Sequence, residues 1–259
     1  MIFTVDQILV FFLIMARLTG VVMTAPFFNN RQIFVLAKFA FIFWTSALLI
    51  FVVPLPVHSP TTGISMILAV VGELFIGVML GFTADLVVVG LEFAGALIDT
   101  QAGLSVASLL DPSTGRNTAL FEMFLRWVAL MVFIQVDGHH VVLTAVHKSF
   151  TMVPVGSAYN LTMGSWAVLG FASDIFQAAV QISAPILLIV FLVDFAFGVL
   201  NRVAEQINVF QLGFQIKPTV SVIIFMIMVP GLLHLTLGMM SHMMENLIHV
   251  LVALQGVHN

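Results

Sequence analysis

The sequence predicts an all-α, polytopic helical membrane protein with about six long apolar helices, two of them overlong and therefore broken or tilted. Three observations carry this. Hydrophobic residues make up 61% of the 259 and charged residues only 8%, against about 25% charged in soluble globular chains. Mean hydropathy is +1.17. The apolar residues also gather into stretches bounded by polar or Pro/Gly-rich breaks. Too few polar atoms remain to cover a water-facing surface, so lipid or other apolar protein must be the main solvent.

The first stretch, Ile8–Phe28, follows Asp6 with no base before it. A secretory signal starts positive and ends on small residues, so this segment is expected to stay in the mature chain. The others are Ala37–Val57, Ile64–Ile98, Ala119–Val136, Trp166–Leu200 and Thr219–Leu237. A hydrocarbon core about 30 Å thick needs about 20 helical residues, which four of the six supply. The third and fifth reach about 35 residues, or about 50 Å of helix. Each should tilt, break or project, with Gly72, Gly77, Gly81, Gly90, Gly95 and Pro185 marking where. If all six cross, an outside N-terminus puts Arg31, Lys38, Arg116, Arg202 and Lys217 in cytoplasmic loops and only Lys148 outside, as the positive-inside rule favours. A last apolar run, Leu247–Leu254, is too short to span and reads as an interfacial or assembly helix.

Enzymatic and metal chemistry find little support. Cysteine is absent, which removes disulfides, thiolate ligands and cysteine nucleophiles. The net charge of −4 comes with no basic run, so nucleic acid is not an expected partner. His139, His140 and His147 cluster near a short loop, and His234, His242 and His249 lie near the C-terminus. No HExxH or tight carboxylate–His spacing accompanies them, so no metal is assigned. Ser105 in Gly-Leu-Ser-Val lacks the second glycine of a nucleophile elbow, and no phosphate-binding GK[ST] loop occurs. The sequence therefore assigns no catalytic residue and no cofactor.

Polar residues within apolar stretches are costly in lipid and are functional candidates for that reason. Asp85, Glu92 and Asp99 recur every seven residues and share a helical face. They read as a cation path, as a projecting helix, or as acids paired with partner residues. Glu73 lies off that face and deeper, placed to bond another helix. Asp174, Gln177 and Gln181 form a second stripe before Pro185, suited to bonding a neighbouring helix or lining a wet cavity. Asp194 lies deeper in the same stretch, on the opposite face. Arg17 either snorkels or meets an acid. Gly77 and Gly81 form a GxxxG, which lets two helices approach closely. Fifteen methionines and 25 phenylalanines suit adaptable packing.

The segment 103–117, GLSVASLLDPSTGRN, sets Val106, Leu109 and Leu110 inside a loop of small and turn-forming residues. It reads either as a loop folded onto its own helices or as a mobile flap.

These residues also come in a familiar order. Arg17-Leu-Thr-Gly20, Ala25-Pro-Phe27, Glu73 with Gly77 and Gly81, Gly95, Asp99-Thr-Gln-Ala-Gly-Leu-Ser105 and Asp111-Pro112 resemble the FliR family. Gly138-His139, Ser149-Phe150 with Pro154, Arg202, Gln206-Ile-Asn-Val-Phe210 and Gly213-Phe214 continue the resemblance over nearly the whole chain, with injectisome SctT-like proteins as relatives. Phe34, Glu205 and Gln215 stand where that family often has proline.

The resemblance implies a non-enzymatic structural subunit of the flagellar type III export gate, in the bacterial inner membrane at the basal body. It implies FliP-like, FliQ-like, FlhB-like and FlhA-like partners around a passage for unfolded flagellar proteins. Residues 1–170 would be a FliP-like portion and 171–259 a FliQ-like hairpin. Such assemblies sit partly above the membrane plane, so six crossings are not required. The resemblance also gives the odd loop a role, with Val106, Leu109 and Leu110 plugging the passage. The competing reading is a self-contained secondary transporter or channel using one of the two polar stripes. The paired, broken half-repeats typical of transporters are missing from the sequence.

Overall fold

A computed structural model describes residues 5–28, 33–53, 63–105, 119–157, 159–204, 206 and 208–255. Among them the chain forms helices α1 (Val5–Thr24), α2 (Val35–Leu49), α3 (Gly63–Gln101), α4 (Leu120–Gln135), α5 (Gly138–Met152), α6 (Leu161–Val203), α7 (Val209–Ser241) and α8 (Met243–Gln255). No strand occurs among the described residues.

Among the described residues four helices are long and apolar enough to cross a membrane, or five if a bent pair counts as one, fewer than the six expected. α2 is 15 residues, about 22 Å long, because the apolar run leaves the helix in turns over Ile50–Val53. The fourth stretch ends at Asp137 and the chain turns 66° into α5. With fewer than six candidate spans, the alternation of loops that set the orientation no longer holds. Four of the six cations counted for it also lie in helices: Lys38 in α2, Lys148 in α5, Arg202 in α6 and Lys217 in α7.

Both overlong stretches are unbroken helices, α3 of 39 residues and α6 of 43. At 1.5 Å per residue they measure about 58 and 64 Å, so excess length is taken up by tilt or projection rather than by breaks. Pro185 sits inside α6, where its ring nitrogen offers no hydrogen to the Gln181 carbonyl. The short C-terminal run is also not a free interfacial helix. It lies in α8, which buries Met243, Leu247, Val250, Leu251 and Leu254, and the Leu254 carbonyl accepts the Asn160 N–H at 2.9 Å.

The chain divides into two compact units. One comprises Met1–Leu86, Phe133–Ser173 and Met240–Asn259. In it, α1 buries Val10, Leu13, Ile14, Arg17, Leu18 and Val21. That spacing of three and four is the inward stripe of a packed helix, with a cation at its centre. α3 answers with Glu73, Ile76, Leu80 and Ala84. The other unit comprises Val87–Val132 and Asp174–Met239. There Phe225 of α7 meets Phe121 and Phe124 of α4 at 4.9 and 5.4 Å between ring centroids, in edge-on contacts favoured by the ring quadrupole. Phe93 of α3 meets Phe176 of α6 in the same way at 5.1 Å.

Candidate functional site

Arg17 and Glu73, two of the polar residues singled out in the sequence, meet in the first unit. Their side chains are 0% and 1% exposed. The Arg17 Nε and Nη2 both lie 2.6 Å from Glu73 Oε2. Nη1 donates to Ser149 Oγ and Nη2 to the Val153 carbonyl, each at 3.0 Å. The guanidinium carbon lies 4.4 Å from the centre of the Phe150 ring. Glu73 Oε1 accepts the Gly156 N–H at 3.2 Å, and Ser149 passes its own hydroxyl hydrogen to the Val146 carbonyl at 2.7 Å. One planar cation thus ties α1 to α3, to α5 and to the turn after α5. Arginine suits the task because its fork of donors serves several acceptors at once. A buried charge persists only when paired and hydrogen-bonded in this way.

Glycine brings the helices close enough. At Gly77 an added Cβ would strike the Arg17 carbonyl oxygen, and at Gly81 it would meet the Val21 oxygen at 2.8 Å and the Ala25 nitrogen at 2.9 Å. The GxxxG therefore packs against α1, where Gly20 answers it, its own added Cβ lying 2.6 Å from the Val78 nitrogen. Thr24 Oγ1 sits at the same crossing, 2.8 Å from the Gly20 oxygen and 3.3 Å from the Val78 oxygen. Tyr159 stands over Gly72, with a ring carbon 3.2 Å from where a Cβ would be. Burial first, then the Glu73 carboxylate, pushes the Tyr159 phenol above its usual range, with Arg17 opposing.

The evenly spaced acids of α3 do not form a path of free carboxylates. Asp99 is 1% exposed; its Oδ1 accepts the Phe121 N–H at 3.1 Å and its Oδ2 the Glu122 N–H at 2.9 Å. It caps the start of α4, where unpaired amides and the helix dipole favour an anion. Gly95 permits the approach, since a Cβ there would lie 2.5 Å from the Glu122 nitrogen. Glu92 pairs with Arg126 at 3.3 Å on a partly exposed surface. Asp85 is half-buried and also has an interaction of its own.

Asp174, Gln177 and Gln181 are all exposed on α6, and no bond within the described chain engages their side chains. Asp194, by contrast, pairs with Lys217 of α7 at 2.5 Å. Val106, Leu109 and Leu110 lie outside the described residues.

Sequence reasoning missed the other members of the Arg17 junction. Ser149, Phe150 and Gly20 carried the family resemblance without a role, and nothing marked the Val153 carbonyl or the Gly156 amide. One usable signal was present: Arg17 sits at the centre of an otherwise apolar stripe, which demands a buried anion.

Comparison with known proteins places this architecture. Residues 8–243 match the family described as bacterial export proteins, family 1. The flagellar biosynthetic protein FliR of Bacillus subtilis is 29% identical over 257 residues, covering 98% of both chains. FliR of Pectobacterium carotovorum is 29% identical over 220 residues, 85% of this chain and 84% of that one. The Yop proteins translocation protein T of Yersinia pestis is 27% identical over 186 residues, 70% of this chain and 71% of its own. The chain belongs to the bacterial export proteins, family 1.

Proposed function

We infer that this protein is a structural subunit of a type III protein export apparatus, working in the gate that passes unfolded flagellar proteins during flagellum assembly. The observation that carries the reading is the match over residues 8–243 to an export family, with FliR relatives along the whole length. The surface supports it. Phe34, Val35, Leu36, Trp44, Leu48 and Phe51, in and around α2, are each at least two-thirds exposed. A surface of that kind needs lipid or sister subunits against it.

The bacterial inner membrane at the basal body is the expected location, and FliP-like, FliQ-like, FlhB-like and FlhA-like chains are the expected partners. In this reading the chain carries out no catalysis. Its FliP-like portion is residues 1–170, and its FliQ-like hairpin, residues 171–259, is supported by the Asp194–Lys217 clasp between α6 and α7. The uncommitted Asp174, Gln177 and Gln181 stripe bonds partner helices, since bare polar groups facing lipid would be costly. Val106, Leu109 and Leu110 close the resting passage by apolar contact that excludes water and ions.

The test is purification with an affinity tag on this chain. FliP-like and FliQ-like chains should co-purify in fixed proportion, and Asp174→Leu with Gln177→Leu should reduce their yield. A tagged chain recovered as a stable homo-oligomer without those partners would overturn the reading. In an assembled gate, serine at Val106, Leu109 and Leu110 should raise ion leak; unchanged leak would reject the plug.

A further inference from the structure

We propose that Asp137, His139 and His140 form a binding site for a divalent transition metal of the Zn2+ class at the bend between α4 and α5. One donor atom from each of the three side chains lies within 4.8 Å of the other two. The imidazole centroids are 4.5 Å apart. His147, grouped with them by sequence, does not join; Asp137 does, two residues before His139, and supplies the close carboxylate that the sequence reading passed over.

The backbone explains the gathering. α4 stops at Gln135 and α5 starts at Gly138, with Asp137 between them in the left-handed region at φ 54°. Aspartate tolerates that region better than most side chains. Gly138 is required beside it, because a Cβ there would meet the Phe133 carbonyl oxygen at 2.8 Å. The turn thus holds Asp137 and the paired histidines together within one short segment.

Their donors are uncommitted. Asp137 stands at the N-cap position of α5, yet its carboxylate makes no capping bond. No hydrogen bond or ion pair among the described residues engages either imidazole. Two neutral imidazoles and a carboxylate are a ligand set suited to Zn2+, Ni2+ or Cu2+. Around Zn2+ at about 2.0–2.1 Å, tetrahedral donors lie about 3.4 Å apart. The remaining gap must be closed by rotation of Asp137 and His140, whose side chains are exposed, and a tetrahedral ion held by three donors keeps one position for water. The α5 dipole opposes a cation here, while the carboxylate and the last carbonyls of α4 favour it.

The test uses the full chain in its co-purified assembly, stripped with chelator, and Cu2+ or Zn2+ alone as probe. Saturable binding is expected, with a two-nitrogen pattern in the Cu2+ electron paramagnetic resonance spectrum. His139→Ala with His140→Ala should weaken it by about tenfold or more, since even outer-shell changes cost 10–100-fold. His242→Ala, remote in sequence and paired with Glu245, should leave it unchanged. If the double variant fails to assemble, Asp137→Asn decides the matter, because asparagine keeps the left-handed backbone while removing the anionic ligand; weakened binding is expected. Equal affinity in wild type and variants, or a spectrum without imidazole nitrogen, would overturn the proposal.

Discussion

Replacing Glu73 by glutamine should destabilise the first unit more than any surface change of the same size. The substitution is nearly isosteric, so packing is kept and only charge and one acceptor are lost. In the native junction Oε2 serves Arg17 and Oε1 serves the Gly156 N–H. Glutamine has a single oxygen, so either the guanidinium or the amide must face its NH2 group. Because Arg17 is 0% exposed, water does not take over. Breaking a buried pair by removing one partner costs about 3–5 kcal/mol. Arg17→Lys should cost about 1–3 kcal/mol, since one ammonium cannot reach Glu73, Ser149 and Val153 together. Arg17→Met combined with Glu73→Leu should cost clearly less than the sum of its parts, with a coupling energy toward the upper end of about 0.5–3 kcal/mol. Denaturant titration in mild detergent, followed by tryptophan fluorescence from the three tryptophans, measures these three variants and the two single changes, Arg17→Met and Glu73→Leu, that the coupling energy requires. Single costs below about 1 kcal/mol, or strictly additive costs, would show that the pair is solvated and the reasoning wrong.

Three further outcomes are expected. Gly77→Leu should force α1 from α3 and cost at least the 1–3 kcal/mol typical of overpacking. Gly198→Ala, with nothing within 4 Å of the added carbon, should be neutral or stabilising; equal effects at the two glycines would refute the close crossing. Asp99→Ala should cost about 0.5–2 kcal/mol, as for a lost helix cap. It should also speed amide exchange at Phe121 and Glu122, and unchanged exchange there would exclude the cap. Tyr159 is the single tyrosine, so its ultraviolet titration can be isolated by difference from Tyr159→Phe. The midpoint should exceed the ordinary value of about 10 and move down in Glu73→Gln, which removes a charge that raises it. Its contribution to stability should be fully present below pH about 10 and lost as pH rises through the folded-state value; a midpoint at or below 10 would contradict the burial.

Helical class and membrane character were legible because they depend on composition, which no tertiary contact alters. The GxxxG at Gly77 was legible as a close-packing site, but its partner was not, since Gly20 lies in another helix. The same limit hid the Arg17–Glu73 pair: 56 residues separate them, and several acids offered equal prospects. The crossing count failed for a local reason. Hydropathy continues through Ile50–Val53, where the chain has already left α2, so an apolar run overstated a helix. The seven-residue recurrence of Asp85, Glu92 and Asp99 marked a shared face and left its use open between a path, a projecting helix and paired acids, because the amides that Asp99 answers lie in another helix. The α4–α5 bend was signalled by Asp137-Gly138, a turn-forming pair, but the left-handed aspartate that carries two histidines round with it needed coordinates.

The junction also bears on how the chain is made. Arg17 lies in the first apolar span, Gln7–Thr24, and its anion is translated 56 residues later. At about 5–20 residues per second the ribosome leaves that cation without Glu73 for about 3–11 s. Ser149, 132 residues downstream, follows after about 7–26 s. A lone arginine at mid-span opposes insertion by about 2.5–3.5 kcal/mol on the translocon scale. The apolar residues of the first segment must therefore offset that cost alone until α3 emerges.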